Sequence, residues 1–167
     1  AADDQVSTSL NAQSAIAMSA AINSSTEFTG VRAIVGETSV IMANAIAAST
    51  LDGTDFITLN DQKITGFEVQ ANDADGSLKD AINAVSDETG VVASLDKDSK
   101  LVLTASDGRN IEFSTSAAGI AGNLLAVDTV TTGNLTLQSD YQFDIEHTAA
   151  GHTALALTDL GAAGAGA

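Results

Sequence analysis

Apolar residues recur at helical spacing in a short segment near the middle of the chain. They occupy positions i, i+3, i+4 and i+7 of one helix face: Leu78, Ala81, Ile82 and Val85. Ser77, with Asp80 three residues later, has the pattern of a capping box, in which a serine side chain satisfies free backbone donors at the helix start. Gly90 can adopt the left-handed conformation that ends many helices. The pattern predicts an amphipathic helix that begins at Ser77 and ends at Thr89-Gly90.

Apolar residues alternate with other residues after this helix, at the spacing of half-buried strands. The alternation predicts three short strands, around residues 91–95, 101–103 and 111–113. Residues 96–100 form a loop between the first two strands, and Asp107-Gly108 marks a tight turn before the third. One helix followed by three strands is therefore the central unit of the predicted fold.

The same pattern occurs earlier in the chain, at an offset of 60 residues. Ala21-Ile22-Asn23, Thr29-Gly30-Val31 and Ala33 correspond to residues 81–83, 89–91 and 93. Seven identities in register over thirteen positions indicate an internal repeat. We therefore expect both copies to form a helix, a turn that ends in glycine, and a strand.

The remaining elements are predicted around these two copies. A first helix covers residues 7–25, with Ser7 or Ser9 as its cap. Four strands follow, over residues 31–35, 39–47, 56–60 and 63–70. The second of these could instead curl into a short helix, and Asn60-Asp61-Gln62 joins the last two. In the second half, residues 117–126 fit a loop or a helical turn, and a strand pair covers residues 134–138 and 141–146.

The fold class predicted from these elements is α+β, with two related helix-plus-antiparallel-sheet units made of short strands and hairpins. The first unit covers residues 1–71, and the second covers residues 72–160. Residues 161–167 contain only Gly and Ala, which predicts a flexible tail. If the piece is inserted between two antiparallel helices, its ordered ends should lie within about 20 Å of each other, since packed helices are about 8–10 Å apart.

The motif AIN..S..TGV.A in residues 81–93, followed by L.LTA.DGRNI in residues 101–111, resembles the repeat of bacterial flagellins and hook-associated proteins. In that family the motif lies in the variable, surface-exposed middle of the subunit. The resemblance implies a structural outer domain of a flagellar filament subunit, located outside the cell, which contributes to motility and to filament surface properties. It also implies no enzymatic activity, and partners that are other flagellin subunits, contacted mainly through segments absent from this chain.

Composition excludes several classes of partner. The net charge is −16, from 22 acidic and 6 basic residues. Nucleic-acid binding needs Lys and Arg to replace phosphate counterions, and anionic membranes attract basic surfaces, so both partners are disfavoured. No apolar run of 18 residues that could span a membrane is present. Repulsion between like charges also predicts that the isolated chain is a soluble monomer or weak dimer.

Two alternatives to a filament subunit remain open. The motif is shared with hook-associated and cap proteins, so the chain could be the corresponding region of one of them. It could also be a secreted adhesin or carbohydrate-binding module, although Trp is absent and Tyr141 is the only Tyr for a sugar platform. Cysteine is absent, which excludes disulfides and thiol metal sites.

Acidic clusters are the candidates for a metal site, and we interpret both as turns. Residues 72–76 lack the acidic first and twelfth ligands of a calcium loop, because Ala71 and Ile82 occupy those places. Asp96-Lys97-Asp98 fits a hairpin loop. We therefore predict no metal ion and no cofactor.

Catalytic patterns are also missing. His147 and His152 are interpreted as surface residues. A zinc site would need a third ligand such as Glu146 or Asp144, whose spacing matches no metalloenzyme motif, and no nucleophile motif is present. Arg109 is expected to lock its own turn through an ion pair, with contact to a neighbouring subunit as the alternative. Asn23 and Asn83 are expected to bond locally to the backbone where each helix ends. Two triplets match the N-glycosylation pattern weakly, at residues 23–25 and 134–136.

Overall fold

The computed structural model describes residues 1–117, 120 and 129–143, which form a mixed α+β fold of short elements. This confirms the predicted fold class. The helices are α1 (Ala15–Asn23), α2 (Thr26–Thr29), α3 (Ser77–Ala84) and α4 (Ser86–Thr89). The strands are β1 (Val31–Val35), β2 (Thr38–Ala45), β3 (Ser49–Leu51), β4 (Ile57–Leu59), β5 (Gln62–Ile64), β6 (Phe67–Val69), β7 (Val92–Leu95), β8 (Lys100–Ala105), β9 (Ile111–Thr115), β10 (Thr129–Thr131) and β11 (Leu135–Ser139).

All strand pairs in the described residues are antiparallel, and they form four small sheets. The strand orders are β1-β11, β2-β8-β7, β10-β9-β4-β5 and β3-β6. The predicted hairpin between β7 and β8 is present, with Ala93 opposite Leu103. By contrast, β8 and β9 lie in different sheets, so the turn at Asp107-Gly108 connects two sheets and does not close a hairpin.

The internal repeat is confirmed at the level of structure. The order α1, α2, β1 in the first copy matches the order α3, α4, β7 in the second. Each strand lies in a different sheet. The sheets nevertheless mix the two halves of the sequence, because β2 pairs with β8, β4 pairs with β9 and β1 pairs with β11.

The predicted capping box of α3 is wrong. The Ser77 hydroxyl donates to the Glu68 carbonyl oxygen at 3.0 Å and does not bond the helix start. The carboxylate of Asp73 accepts bonds from the Leu78 and Lys79 amides instead, at 2.8 and 3.0 Å. The preceding turn folds back and brings this earlier acid over the free donors. The buried face itself is as predicted, since Leu78 and Ile82 are fully buried.

The first helix is shorter than predicted. Leu10 has a left-handed backbone, with φ of 52°, so the predicted helix over residues 7–25 is interrupted there. The helix begins at Ala15, and Ser14 is its cap because the Ser14 hydroxyl accepts from the Ala17 amide at 3.0 Å. Ser7 and Ser9 therefore do not serve as caps.

Two strand predictions also need correction. The predicted strand over residues 63–70 is divided into β5 and β6 at Gly66, whose φ is 98°. The predicted pair of residues 134–138 with 141–146 is wrong, since β11 pairs with β1 and residues 141–143 form no strand. Residues 144–146, most of the segment 117–126, and the predicted tail at 161–167 lie outside the described residues. The predicted proximity of the two chain ends is therefore still a prediction.

The main hydrophobic core joins α3 to strands of three sheets. Its fully buried large residues are Leu51, Ile57, Leu59, Leu78, Ile82, Leu101, Leu103 and Ile111. Full burial of each such side chain is worth roughly 1.5–3 kcal/mol. In the first copy the counterparts of Leu78 and Ile82 are Met18 and Ile22, which are only half-buried, and the buried apolar residues of α1 and β1 are alanines. The second copy therefore supplies more of the stabilising burial.

Candidate functional site

Asn83 connects the end of α3 to strand β7. Its side-chain oxygen accepts a hydrogen bond from the Ala93 amide at 2.7 Å, and its side-chain nitrogen donates to the Ala93 carbonyl oxygen at 3.0 Å. One side chain thus satisfies both backbone polar groups of one strand residue. The predicted local bond at the helix end is wrong, because Asn83 bonds Ala93, ten residues later, and not the adjacent backbone. The chain reverses after Gly90 and brings β7 back to α3.

Asn23 makes the same pair of bonds in the first copy. Its oxygen accepts from the Ala33 amide at 2.8 Å, and its nitrogen donates to the Ala33 carbonyl oxygen at 2.9 Å. The Ser19 hydroxyl donates to the same carbonyl at 3.2 Å. The repeated Asn and Ala, ten residues apart in both copies, are the sequence signal from which this contact could have been predicted.

The Thr-Gly pair between each helix and strand is also repeated in structure. Gly30 and Gly90 both have φ of 69°, the left-handed conformation predicted for the helix end. The hydroxyls of Thr29 and Thr89 each accept from the backbone amide two residues later, at 3.2 Å in both cases. The shared geometry shows that the repeated residues specify the reversal of the chain.

Arg109 lies over the second of these glycines. Its guanidinium bonds the Asp107 carboxylate at 2.8 Å through two nitrogens and donates to the Thr89 carbonyl oxygen at 3.3 Å. An added Cβ at Gly90 would lie 2.1 Å from Arg109 Cζ. Partial burial works against ionisation of Asp107, but the bonds and charge of Arg109 outweigh it and hold the pKa of Asp107 below its ordinary value. The expected ion pair that locks the turn is confirmed.

Two buried asparagines, Asn60 and Asn110, connect the turn after α4 with the β4–β5 turn, the start of β9 and the N-terminal segment. The Asn60 side chain donates to the carbonyl oxygens of Thr89 and Asn110, at 2.8 and 3.3 Å, and accepts from the Glu112 amide at 2.8 Å. Asn60 also has a positive φ of 43°, within the turn between β4 and β5. The sequence pattern predicts only a hairpin turn at Asn60 and gives no sign that Asn60 bridges β9 and the end of α4.

Asn110 attaches the N-terminal segment to the fold. Its amide donates to the Ser7 hydroxyl at 3.0 Å, and its side chain donates to the Ser9 carbonyl oxygen at 2.9 Å. Asp4 supports this segment by accepting from the Ser7 amide at 2.8 Å and from its hydroxyl at 2.6 Å. Burial alone would raise the pKa of Asp4, but hydrogen bonds from the Ser14 and Ser7 side chains and from nearby amides lower it to about 2.

The acidic candidates for a metal site serve as turn and cap residues. Asp73 is buried and caps α3, as described above. Asp96 accepts from the amides of Asp98 and Lys100 at 2.8 and 2.9 Å, which fixes the hairpin loop and lowers the pKa of Asp96. Within the described residues, no group of three or more acidic or histidine side chains is placed to hold a metal ion.

The other candidate residues do not form a chemical site in the described part of the chain. His147 and His152 lie outside the described residues. Asn23, in the first glycosylation triplet, is held by Ala33 and Ser19, whereas Asn134, in the second, is exposed. In the ranges described, no helix is both long and apolar enough to cross a membrane. The described arrangement holds segments together and offers no evident group for catalysis.

Comparison with known proteins identifies the repeat. Residues 57–107, which run from β4 to the turn before Arg109, match the flagellin hook IN motif. The chain is also 38% identical over 107 residues to Flagellin B of Helicobacter pylori, an alignment that covers 61% of this chain and 19% of that protein. The chain belongs to the flagellin family.

Two further flagellins give the same result. Flagellin A of Helicobacter felis is 31% identical over 116 residues, which covers 67% of this chain and 21% of that flagellin. Flagellin A of Helicobacter pylori is 39% identical over 95 residues, which covers 56% and 18%. This chain thus spans about a fifth of the length of the flagellins that it matches. The hook IN motif contains the second repeat copy and the Asn60 turn, but it ends before Asn110.

Proposed function

We propose that this chain is the surface-exposed outer region of a bacterial flagellar filament subunit, with a structural role in motility and filament surface properties. The observation that carries the proposal is the hook IN motif in a chain that spans about a fifth of the related flagellins. In this proposal the segments that polymerise belong to the rest of the subunit, and the region lies outside the cell on the flagellum.

The charge of the chain supports an exposed position. A net charge of −16 is suited to a solvated surface and unsuited to tight packing against identical copies. The described hydrogen bonds serve to hold short segments together, which a rigid surface module requires. Catalysis has no support in the described geometry or in the names of the related proteins.

Site-specific labelling of intact filaments tests this position. The chain has no cysteine, so single cysteines can be introduced into the full-length protein after removal of any others. Lys97→Cys places a thiol in the hairpin loop, where the Lys97 side chain is 85% exposed. Ala105→Cys is the matched control, since Ala105 is fully buried. A maleimide dye is added to living cells, and the label is located by microscopy.

We expect K97C filaments to be labelled along their whole length, at least tenfold more strongly than A105C filaments. Label confined to the base or the tip of the filament would assign the region to a hook-associated or cap protein. Label on the cell body, with filaments unlabelled, would favour a secreted adhesin. Equal, weak labelling of both variants on intact filaments would show that the region is buried in the filament, and the proposal would be wrong.

A further inference from the structure

Strands β1 and β7, one from each repeat copy, are edge strands in the part of the chain that the structure describes. β1 pairs only with β11, and β7 pairs only with β8. An edge strand turns the N–H and C=O groups of alternate residues away from its partner, where they can bond a strand of another molecule. Proteins usually protect such edges with charged residues, proline or bulges.

The repeated asparagines occupy the place of a neighbouring strand. In an antiparallel sheet, a residue of the next strand accepts from one N–H and donates to the C=O of the same residue. Asn83 makes this pair of bonds to Ala93, at 2.7 and 3.0 Å, and Asn23 makes it to Ala33, at 2.8 and 2.9 Å. The backbone amides of Val31 and Val91 lie two residues before Ala33 and Ala93. They donate to the hydroxyls of Thr29 and Thr89.

Helix α3 packs against β7 and buries Ala93, but the strand itself offers little further protection at its edge. Residues 91–95 carry no charge and no proline, and Val92 is 55% exposed. Such a short apolar segment of high β propensity is typical of self-pairing strands. β1 contains the charged and exposed residue Arg32, which also disfavours pairing of this edge with another strand. A second copy of this chain is a matched partner for β7, because an edge strand can pair antiparallel with its own copy around a two-fold axis.

We propose that Asn83 and Asn23 are strand mimics that close the edges of β7 and β1 against pairing with a second copy of this chain. The Asn-to-Ala contact, which recurs in both copies, thus protects the strand edges as well as joining each helix to its strand. The inference does not depend on the proposed function, since any crowded arrangement of copies would require closed edges.

Hydrogen exchange in the unmodified chain is the first test. We expect the Ala93 and Ala33 amides to be protected at least a hundredfold relative to an unstructured chain, although neither has a strand on that side. Exchange of both amides at the unprotected rate would overturn the proposal, whatever the behaviour of any variant.

Self-association of single variants is the second test, measured by sedimentation velocity at low and high salt. Asn83→Ala should self-associate at least tenfold more tightly than the unmodified chain, and Asn23→Ala should do so less strongly because Arg32 remains. Asn134→Ala is the control, since Asn134 is exposed and its side chain makes no hydrogen bond within the described residues. An N83A variant with an unchanged circular dichroism spectrum that remains as monomeric as N134A would contradict the proposal.

A double variant separates edge pairing from aggregation of unfolded chains. Val92→Lys adds a charge to the β7 edge, which should restore the monomer in the N83A background. Continued association of the N83A/V92K chain would show that association does not proceed through β7. If N83A does not fold, the exchange of the Ala93 amide in the unmodified chain still decides the question.

Discussion

At the scale of single residues, Gly30 and Gly90 share one backbone conformation in two different surroundings. Both have φ of 69°, which costs a residue with a side chain about 1–2 kcal/mol. An added Cβ at Gly30 would meet no atom closer than 3.8 Å, whereas at Gly90 it would overlap the guanidinium of Arg109. The pair therefore separates backbone strain from the loss of a specific contact.

We expect Gly30→Ala to lower the free energy of unfolding by about 1 kcal/mol, from the left-handed conformation alone. Gly90→Ala should cost roughly 2–4 kcal/mol, because Arg109 must also leave Asp107 and the Thr89 carbonyl oxygen. Urea unfolding of both variants measures the difference. In an Arg109→Ala background the cost of G90A should fall to that of G30A. Equal costs for G30A and G90A in the unmodified chain would show that the position of Arg109 over Gly90 contributes nothing.

Asp4 gives the chain a stability term that depends on pH. Its pKa is about 2 in the folded chain and 3.8 in the reference state, so the ionised form favours folding. The contribution is fully present above about pH 4 and is lost as the pH falls through about 2. A shift of this size corresponds to at most about 2.5 kcal/mol. We expect roughly 1 kcal/mol, because the carboxylate is partly exposed and solvent screens it.

The comparison of Asp4→Asn with the unmodified chain measures this term. The difference in the free energy of unfolding should be roughly 1 kcal/mol at pH 6, should be much smaller at pH 2, and should approach zero below about pH 2. Asp3→Asn removes the same charge from an exposed neighbour and serves as the control. A difference that does not change between pH 6 and pH 2 would mean that the bonds from Ser7 to Asp4 do not favour the ionised form.

At the scale of elements, the cap of α3 is Asp73 in the structure, whereas the sequence pattern predicts Ser77. Asp73→Ala removes the carboxylate that bonds two helix amides, and we expect a loss of about 2 kcal/mol. Ser77→Ala removes only an exposed bond to Glu68, and we expect less than about 0.5 kcal/mol. Thermal or urea unfolding of the two variants decides between the caps. A larger loss for S77A than for D73A would restore the capping box that the sequence indicates.

The elements that could be predicted from the sequence are those set by local pattern. The amphipathic face of α3, the strands β7 and β8 with their loop, and both left-handed glycines follow from spacing and turn chemistry. The start of α1 could not be predicted in this way, because Ser7 and Ser9 match the cap pattern as well as Ser14 does. Instead, the Ser7 hydroxyl and the Ser9 carbonyl oxygen both accept hydrogen bonds from Asn110, about 100 residues away in sequence.

Long-range pairing is the part that local pattern does not determine. β11 has no sequence feature that directs it to β1, and Asn60 has the composition of an ordinary turn residue. Its role depends on Thr89, Asn110 and Glu112, which come together only when the sheets form. Among the side-chain contacts that hold the segments together, only the bonds from Asn to Ala could have been predicted. Their ten-residue spacing recurs in both copies, and repetition shows that a spacing is specific.

At the scale of the whole molecule, the division into units of residues 1–71 and 72–160 remains a proposal. The repeat supports it, since each copy has its own helix pair and its own strand. The pairing of strands limits its meaning, because β2, β4 and β1 each have a partner strand from the other unit. We infer that the units are related copies that depend on each other to form complete sheets.

Cutting the chain between residues 71 and 72 tests this dependence. Each piece alone lacks partner strands, and small pieces bury too little surface to be stable alone. We therefore expect residues 1–71 and residues 72–167 to be largely unfolded when separate and to fold together when mixed, with recovery of the circular dichroism spectrum of the intact chain.

Asn60→Ala in the first piece should weaken the complex at least tenfold, because Asn60 bonds Thr89, Asn110 and Glu112 of the second piece. Thr54→Ala is the control, since among the described residues its side chain bonds only Asp52, which belongs to the same piece. Two pieces that fold separately and do not bind each other would show that the units are independent domains, and the shared strand pairing would then contribute little to stability.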